Sequence, residues 1–143
     1  ERALSCGASK LYIEDLTEEF INDFSEADFV IGHNVNFDVR FLKLELEAMG
    51  IDYEPKNMFC TMQYYRDICK ILRPSGDYKN PKLEEVINFL GITKDQISSK
   101  ADELFQGSGN YHDARFDTAA VYLLVIEGMK KKLIKPGFFS SQL

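Results

Sequence analysis

The sequence predicts an α/β layered domain, and three observations carry that prediction. Amphipathic helical stretches alternate along the chain with short apolar runs of strand character. The runs Phe29-Val30-Ile31-Gly32 and Met58-Phe59-Cys60-Thr61 are too short for helices, and the first ends in glycine. The 143 residues, 45% of them hydrophobic, suffice for one soluble globular domain and leave too little chain for two.

Residues 15–25 place Leu16, Phe20, Ile21 and Phe24 at helical spacing, with Glu18, Glu19, Asp23 and Glu26 turned to water. The run 29–32 follows and suits a buried parallel strand. Asn34 is placed to cap a helix over about 35–49. Its stripe Phe37, Phe41, Leu44 and Ala48, widened by Leu42, Leu46 and Met49, is expected in the core, and Gly50 ends it. The second apolar run leads into a helix over 62–72 with Tyr65, Ile68, Cys69 and Leu72 inward. Pro74 to Pro81 is a loop by composition. Leu83, Val86, Ile87 and Leu90 then form the apolar face of a helix over about 82–90, closed by Gly91. The stretch 93–105 is polar and compatible with a short helix, and 107–110 is flexible by composition. The last helix runs to about Lys132, where Lys130, Lys131 and Lys132 complement the negative helix end as a solvated terminus. There are no internal repeats. The expected domain spans 1–143, with a core over about 11–132 and a tail over 133–143.

The net charge of −6 argues against a protein that coats nucleic acid with a broad basic surface. It leaves room for an enzyme that meets phosphates through metal ions, which bring their own charge. Cys6, Cys60 and Cys69 form neither a paired framework nor a zinc signature, so they are expected as reduced thiols in a cytoplasmic protein, with Cys60 in the core. No apolar run approaches the roughly 20 residues that span a bilayer, and no signal peptide is visible. The first residue is Glu1 and not Met, which suggests a cut N-terminus or a chain that begins mid-protein.

Chemistry is suggested at two helix starts. At helical spacing Asp117 shares a face with Ala120, Val121 and Leu124, where a core residue is expected. A buried carboxylate is costly unless a cation or hydrogen bonds compensate it. His112, five residues earlier, is placed to supply a titratable base at the rim. The alternative is that Asp113 caps the helix, Asp117 is partly solvated and His112 is an ordinary loop histidine. Asp38 repeats the pattern beside Phe41 and Leu42. Two acids at helix starts invite a shared hard divalent cation, with a histidine that deprotonates a bound water.

The segments HNxxFDxxFL at 33–42 and HDAxxDxAA at 112–120 resemble the second and third motifs of the DEDD 3′–5′ exonuclease superfamily. The histidine five residues before the last aspartate marks the DEDDh branch, which includes the epsilon proofreading subunit of bacterial DNA polymerase III. The resemblance spans about residues 1–132. It implies an RNase H-like fold and hydrolysis of terminal phosphodiesters, with single-stranded DNA as the expected substrate. It implies two divalent metal ions, Mg²⁺ or Mn²⁺, with Asp117 and Asp38 as ligands and His112 as general base. His33 and Asn34 occupy motif positions that imply substrate contact, although a polar junction that caps the helix and fixes Asp38 weighs more. Phe37 and Phe41 are expected as core, and Lys79 and Lys82, on or beside the long loop, are within reach of a phosphate, although isolated surface lysines usually do nothing specific.

The family's first motif, an Asp-x-Glu on an apolar leading strand, is absent from residues 1–28. The chain is therefore expected to be a partial domain lacking its N-terminal strands, weak in metal binding and inactive by itself, while its parent is an exonuclease. Expected partners are a single-stranded 3′ end and a DNA polymerase subunit, with no membrane. The strand edge near Phe29–Ile31 is expected to promote self-association. The rival is a non-catalytic nucleic-acid-binding or protein-interaction domain of the same fold.

Overall fold

A computed structural model describes the backbone of residues 3–6, 9–12, 17–105 and 114–143, and the side chains of 22–105 and 114–143. The architecture is mixed α/β. In order, the strands and helices are β1 (Ala3–Cys6), β2 (Ser9–Tyr12), α1 (Thr17–Glu26), β3 (Val30–Gly32), α2 (Val35–Ala48), β4 (Met58–Cys60), α3 (Thr61–Cys69), α4 (Leu83–Leu90), α5 (Lys94–Phe105) and α6 (Ala114–Lys130). The chain divides into two compact units, one comprising 1–30 with 35–59 and the other 31–34 with 60–143. β3 and β4 form a two-stranded parallel sheet. No described helix is long and apolar enough to cross a membrane.

In the first unit β1 and β2 pair antiparallel, with Ala3 opposite Tyr12 and Cys6 opposite Ser9. This hairpin was not among the expected elements, because strands of four residues are too short to display an alternation. The helix α2 has nearly the expected limits, but a different face is covered. Val35, Val39 and Leu46 are buried, with Leu42 and Met49 half-buried beside them. Phe37, Phe41 and Leu44, expected in the core, are 57%, 57% and 60% exposed. The helix carries two apolar stripes offset by two residues, and periodicity alone does not say which one finds a partner. Asn34 enters the helix in the left-handed region (φ +74°), which Asn tolerates, and not in the extended conformation expected of a cap. Tyr53 is buried with its ring edge-on to Phe24, centroids 5.8 Å apart. Its hydroxyl has no hydrogen-bond partner among the described residues.

The second unit is built from α3 to α6 around a common core. Tyr65, Val86, Ile97, Ala120 and Leu124 are all fully buried there. α3 stops earlier than expected because Lys70 turns left-handed (φ 54°) and donates its N–H to the Arg66 carbonyl at 3.1 Å. Leu72, expected inward, therefore lies beyond the helix and is 64% exposed. The expected loop after it contains a small hairpin. Leu72 bridges Tyr78 antiparallel, Lys79 N–H donates to the Ile71 carbonyl (2.8 Å), and Arg73 N–H donates to the Asp77 carbonyl (2.7 Å).

α4 has the expected face, with Val86, Ile87 and Leu90 buried and Gly91 closing it at φ +72°. α5 is a full helix of 12 residues and not merely a short one. Its start is held reciprocally: Thr93 N–H donates to Gln96 Oε1 (2.7 Å), and Gln96 N–H donates to Thr93 Oγ1 (3.1 Å). In α6 the buried residues are Phe116, Ala119, Ala120, Leu123, Leu124 and Val125, with Gly128 buried further on. A Cβ at Gly128 would overlap the Tyr65 hydroxyl and stand 3.0 Å from Ile134 Cδ1. Tyr65 donates that hydroxyl to the Leu124 carbonyl at 2.7 Å. Burial pushes its phenol pKa well above the usual tyrosine value, so the donor keeps its proton. Cys60 and Cys69 are free thiols and half-buried, so Cys60 lies less deep than expected.

Candidate functional site

Asp117 stands in the first turn of α6, one position along from buried Phe116. It is exposed, which corrects the expectation that it occupies a core position. The buried series at 116, 119, 120, 123 and 124 is a complete helical stripe, and Asp117 falls on its border. The cost of burying a carboxylate therefore does not arise.

Asp117 borders a cavity of about 430 Å³ within the second unit. α4, α5 and α6 all begin at this cavity. Lys82 and Glu84 reach it from the start of α4, Thr93 and Lys94 from the start of α5, and Phe116 and Asp117 from the start of α6. Its apolar wall is built from Leu83, Ile87, Ile92 and Ile97. Helix N-termini carry partial positive charge, and Lys82 and Lys94 add to it. The cavity thus combines carboxylate oxygens suited to a divalent cation with cationic groups suited to phosphate. Lys82 was among the lysines singled out in the sequence. Glu84, Asn88, Thr93 and Lys94 were not, since only the fold brings α4, α5 and α6 to one opening. The Thr-x-x-Gln capping pattern at 93–96 was the one signal that would have drawn attention to the start of α5.

His33 is held from both sides of its ring. Nδ1 lies 2.8 Å from Thr61 Oγ1, and Nε2 lies 2.8 Å from the Pro81 carbonyl. The carbonyl only accepts, so Nε2 carries a proton. Thr61 is fully buried at the start of α3, and its hydroxyl also reaches the Gly32 carbonyl at 3.3 Å. His33 thereby fastens the chain at Pro81, next to the Lys82 wall of the cavity. The adjoining anchor is ionic. Glu85 accepts the Lys82 backbone N–H at 2.8 Å and pairs with Lys79 Nζ at 3.0 Å. The Lys82 N–H first, and then Lys79, hold the Glu85 carboxyl below its ordinary pKa. Lys79, expected as a phosphate contact, is engaged in this pair.

Asp38 is exposed in the first turn of α2, in the other unit. Asn34 is exposed at the junction before that helix. His112 and Asp113 lie outside the described residues, so the structure places neither. A divalent ion takes about six oxygen donors. Among the described residues there is no group of three or more His, Cys, Asp or Glu able to hold one.

No family profile matches the chain, and no solved structure matches it significantly. Curated bacterial proteins do. A segment of DNA polymerase III PolC-type from Thermotoga maritima is 31% identical over 124 residues, covering 86% of this chain and 8% of that protein. The same protein of Thermotoga petrophila matches to the same extent. The 3′-5′ exonuclease DinG of Staphylococcus haemolyticus is 27% identical over 120 residues, covering 84% of this chain and 11% of that protein. The chain spans about a tenth of the length of the curated relatives it matches. Over most of its own length it is a distant homologue of segments of these polymerase III and exonuclease proteins, which supports an exonuclease family.

Proposed function

We propose that these residues form part of a 3′–5′ exonuclease domain of the DEDDh type with an RNase H-like fold. It would hydrolyse the terminal phosphodiester of single-stranded nucleic acid, preferentially DNA, and release nucleoside 5′-monophosphates. The observation that carries this reading is Asp117, an accessible carboxylate in the first turn of α6, at a cavity that also presents Lys82 and Lys94. Relatives with polymerase III and 3′-5′ exonuclease names support it.

Two divalent ions, Mg²⁺ or Mn²⁺, would stabilise the attacking and leaving oxygens when bound. Asp117 and Asp38 are the ligands this chain would contribute, and His112 would accept a proton from the attacking water. Lys82 and Lys94 would offset phosphate charge at the cavity wall. His33 acts as a positioning residue, since its bond to the Pro81 carbonyl fixes the chain entering Lys82. A polymerase subunit is the expected protein partner.

The test uses the full-length polypeptide that contains these residues, with Mg²⁺ and a 5′-labelled single strand. A ladder shortening by one nucleotide at a time is expected. Asp117→Asn and His112→Ala should each slow it about 100-fold or more, since each acts on the reacting atoms. A wild-type rate in Asp117→Asn rejects the assignment.

One observation favours a second reading, nucleic-acid binding without hydrolysis: no group of three potential ligands occurs among the described residues. Retained strand binding with no metal-dependent ladder from the full-length protein would select it.

A further inference from the structure

The hairpin over residues 71–79 has a composition and placement that the cavity does not explain. Leu72 and Tyr78 are directly opposed across its antiparallel bridge, so their side chains share one face. That face is open to solvent: Leu72 is 64% and Tyr78 40% exposed. Lys70 and Arg73 flank Leu72 in the sequence, both exposed and without a described ion pair, and by strand alternation Arg73 leaves from the opposite face. In a chain of net charge −6, Lys70, Arg73, Lys79 and Lys82 fall within one short segment against a single acid, Asp77.

The hairpin is also tied to the cavity rim. Lys79, at its returning end, pairs with Glu85 at 3.0 Å, in the same first turn of α4 from which Glu84 lines the cavity. Two residues further on, the Pro81 carbonyl is held by His33, and Lys82 is the cavity wall. The hairpin is therefore a projection with an aromatic and an aliphatic side chain on one face and cations along its strands, anchored at its returning end beside Asp117's cavity.

We propose that this hairpin is a guiding arm for single-stranded nucleic acid. Tyr78, with Leu72 beside it, stacks on a base upstream of the 3′ end, and Arg73 and Lys70 contact the adjoining phosphates. Stacking on an exposed ring flanked by cations is sequence-tolerant, and it favours strands whose bases are unpaired. A packed core explanation does not account for two large apolar side chains left outward on a hairpin tied to α4 through Lys79. The arm rests on the exonuclease reading above for its purpose, but its binding chemistry is independent of catalysis.

Fluorescence anisotropy of a 5′-fluorescein-labelled (dT)12 strand, in EDTA and against the 143-residue chain, separates the two. No hydrolysis is needed, so failure of the arm leaves the Asp117 ladder experiment untouched, and the reverse also holds. Lys70→Ala with Arg73→Ala should weaken binding about tenfold at low salt. It should also flatten the dependence of log K on log salt by about 1.4, since each phosphate contact on a single strand contributes roughly 0.7. Tyr78→Ala should weaken binding at least fivefold with the salt slope unchanged, and Tyr78→Phe should bind as wild type. Replacing the strand by a blunt duplex should remove the Tyr78 effect. Absence of binding by the wild-type chain overturns the proposal, as does wild-type affinity in either alanine variant. All three substituted side chains are exposed, so an unchanged thermal midpoint is expected to accompany each variant.

Discussion

The two units of this chain treat their helices differently. In the second unit, α4 and α6 bury complete apolar stripes, and each is met by a neighbouring helix of the same unit. In the first, α2 buries Val35, Val39 and Leu46 and leaves Phe37, Phe41 and Leu44 more than half exposed. Both α2 stripes are apolar at helical spacing, so propensity does not separate them. What differs is the supply of partners: α3, α4, α5 and α6 supply one another, while α2 has more apolar surface than its covered face can use. A buried helix face is a statement about neighbours as much as about sequence.

The sharpest break of this comparison lies at Gly128, where α6 is approached closely by the Tyr65 hydroxyl of α3. Alanine there must displace either the Tyr65 hydroxyl, and with it the bond to Leu124, or the buried Ile134 side chain. Overpacking together with a lost buried hydrogen bond should cost about 4 kcal/mol. Chemical denaturation of Gly128→Ala should read this loss. Stability within about 0.5 kcal/mol of wild type would mean that the second unit is not closely packed there, and the contrast would dissolve.

The next test pits the two stripes of α2 against each other. Leu46→Ala should destabilise by about 3 kcal/mol through the cavity it leaves. Phe41→Ser should change stability by at most about 0.5 kcal/mol, as expected at a surface position. The same denaturation measurement decides. If Phe41→Ser is the costlier substitution, the covered stripe is the one centred on Phe37 and Phe41.

The sequence is legible where one helix face is apolar and the other polar. Leu83 to Leu90 shows this well, its limits and its inward residues matching the structure. It is less legible at α5, whose buried set is only Ile97 and Ala101, too sparse for a periodic signal although the Thr93–Gln96 cap was there to be read. Asp117 lies in a motif that is legible in the sequence, but its exposure depends on one position of helix rotation, which periodicity alone does not resolve. The His33 clamp was invisible for a different reason: its partners lie 28 and 48 residues away. Long-range polar contacts leave no local pattern. The cavity shares that property, because it exists only where three helix starts meet.

The smallest expected effect concerns the electrostatic anchor at the base of the hairpin, and it sharpens the contrast by assigning an acid response to the second unit. Glu85 has its carboxyl held below the ordinary value, first by the Lys82 N–H and then by Lys79. A depressed folded-state pKa means that the folded chain binds a proton less readily than the unfolded one. The stabilisation is then fully present above the unfolded carboxylate pKa and is lost as pH falls through the lower, folded value. At neutral pH the anchor is intact, and acidification below the ordinary glutamate range should release it. The Lys82 amide reports the change directly, because it donates to Glu85 Oε1 at 2.8 Å. Its NMR chemical shift should titrate with a midpoint below that of an unperturbed glutamate, and Glu85→Gln should abolish the titration. Because the pair is substantially exposed, added salt should weaken the Lys79 contribution while leaving the Lys82 bond in place. A Lys82 amide that titrates at the ordinary glutamate value would detach the hairpin from α4, and with it the anchored arm beside the Asp117 cavity.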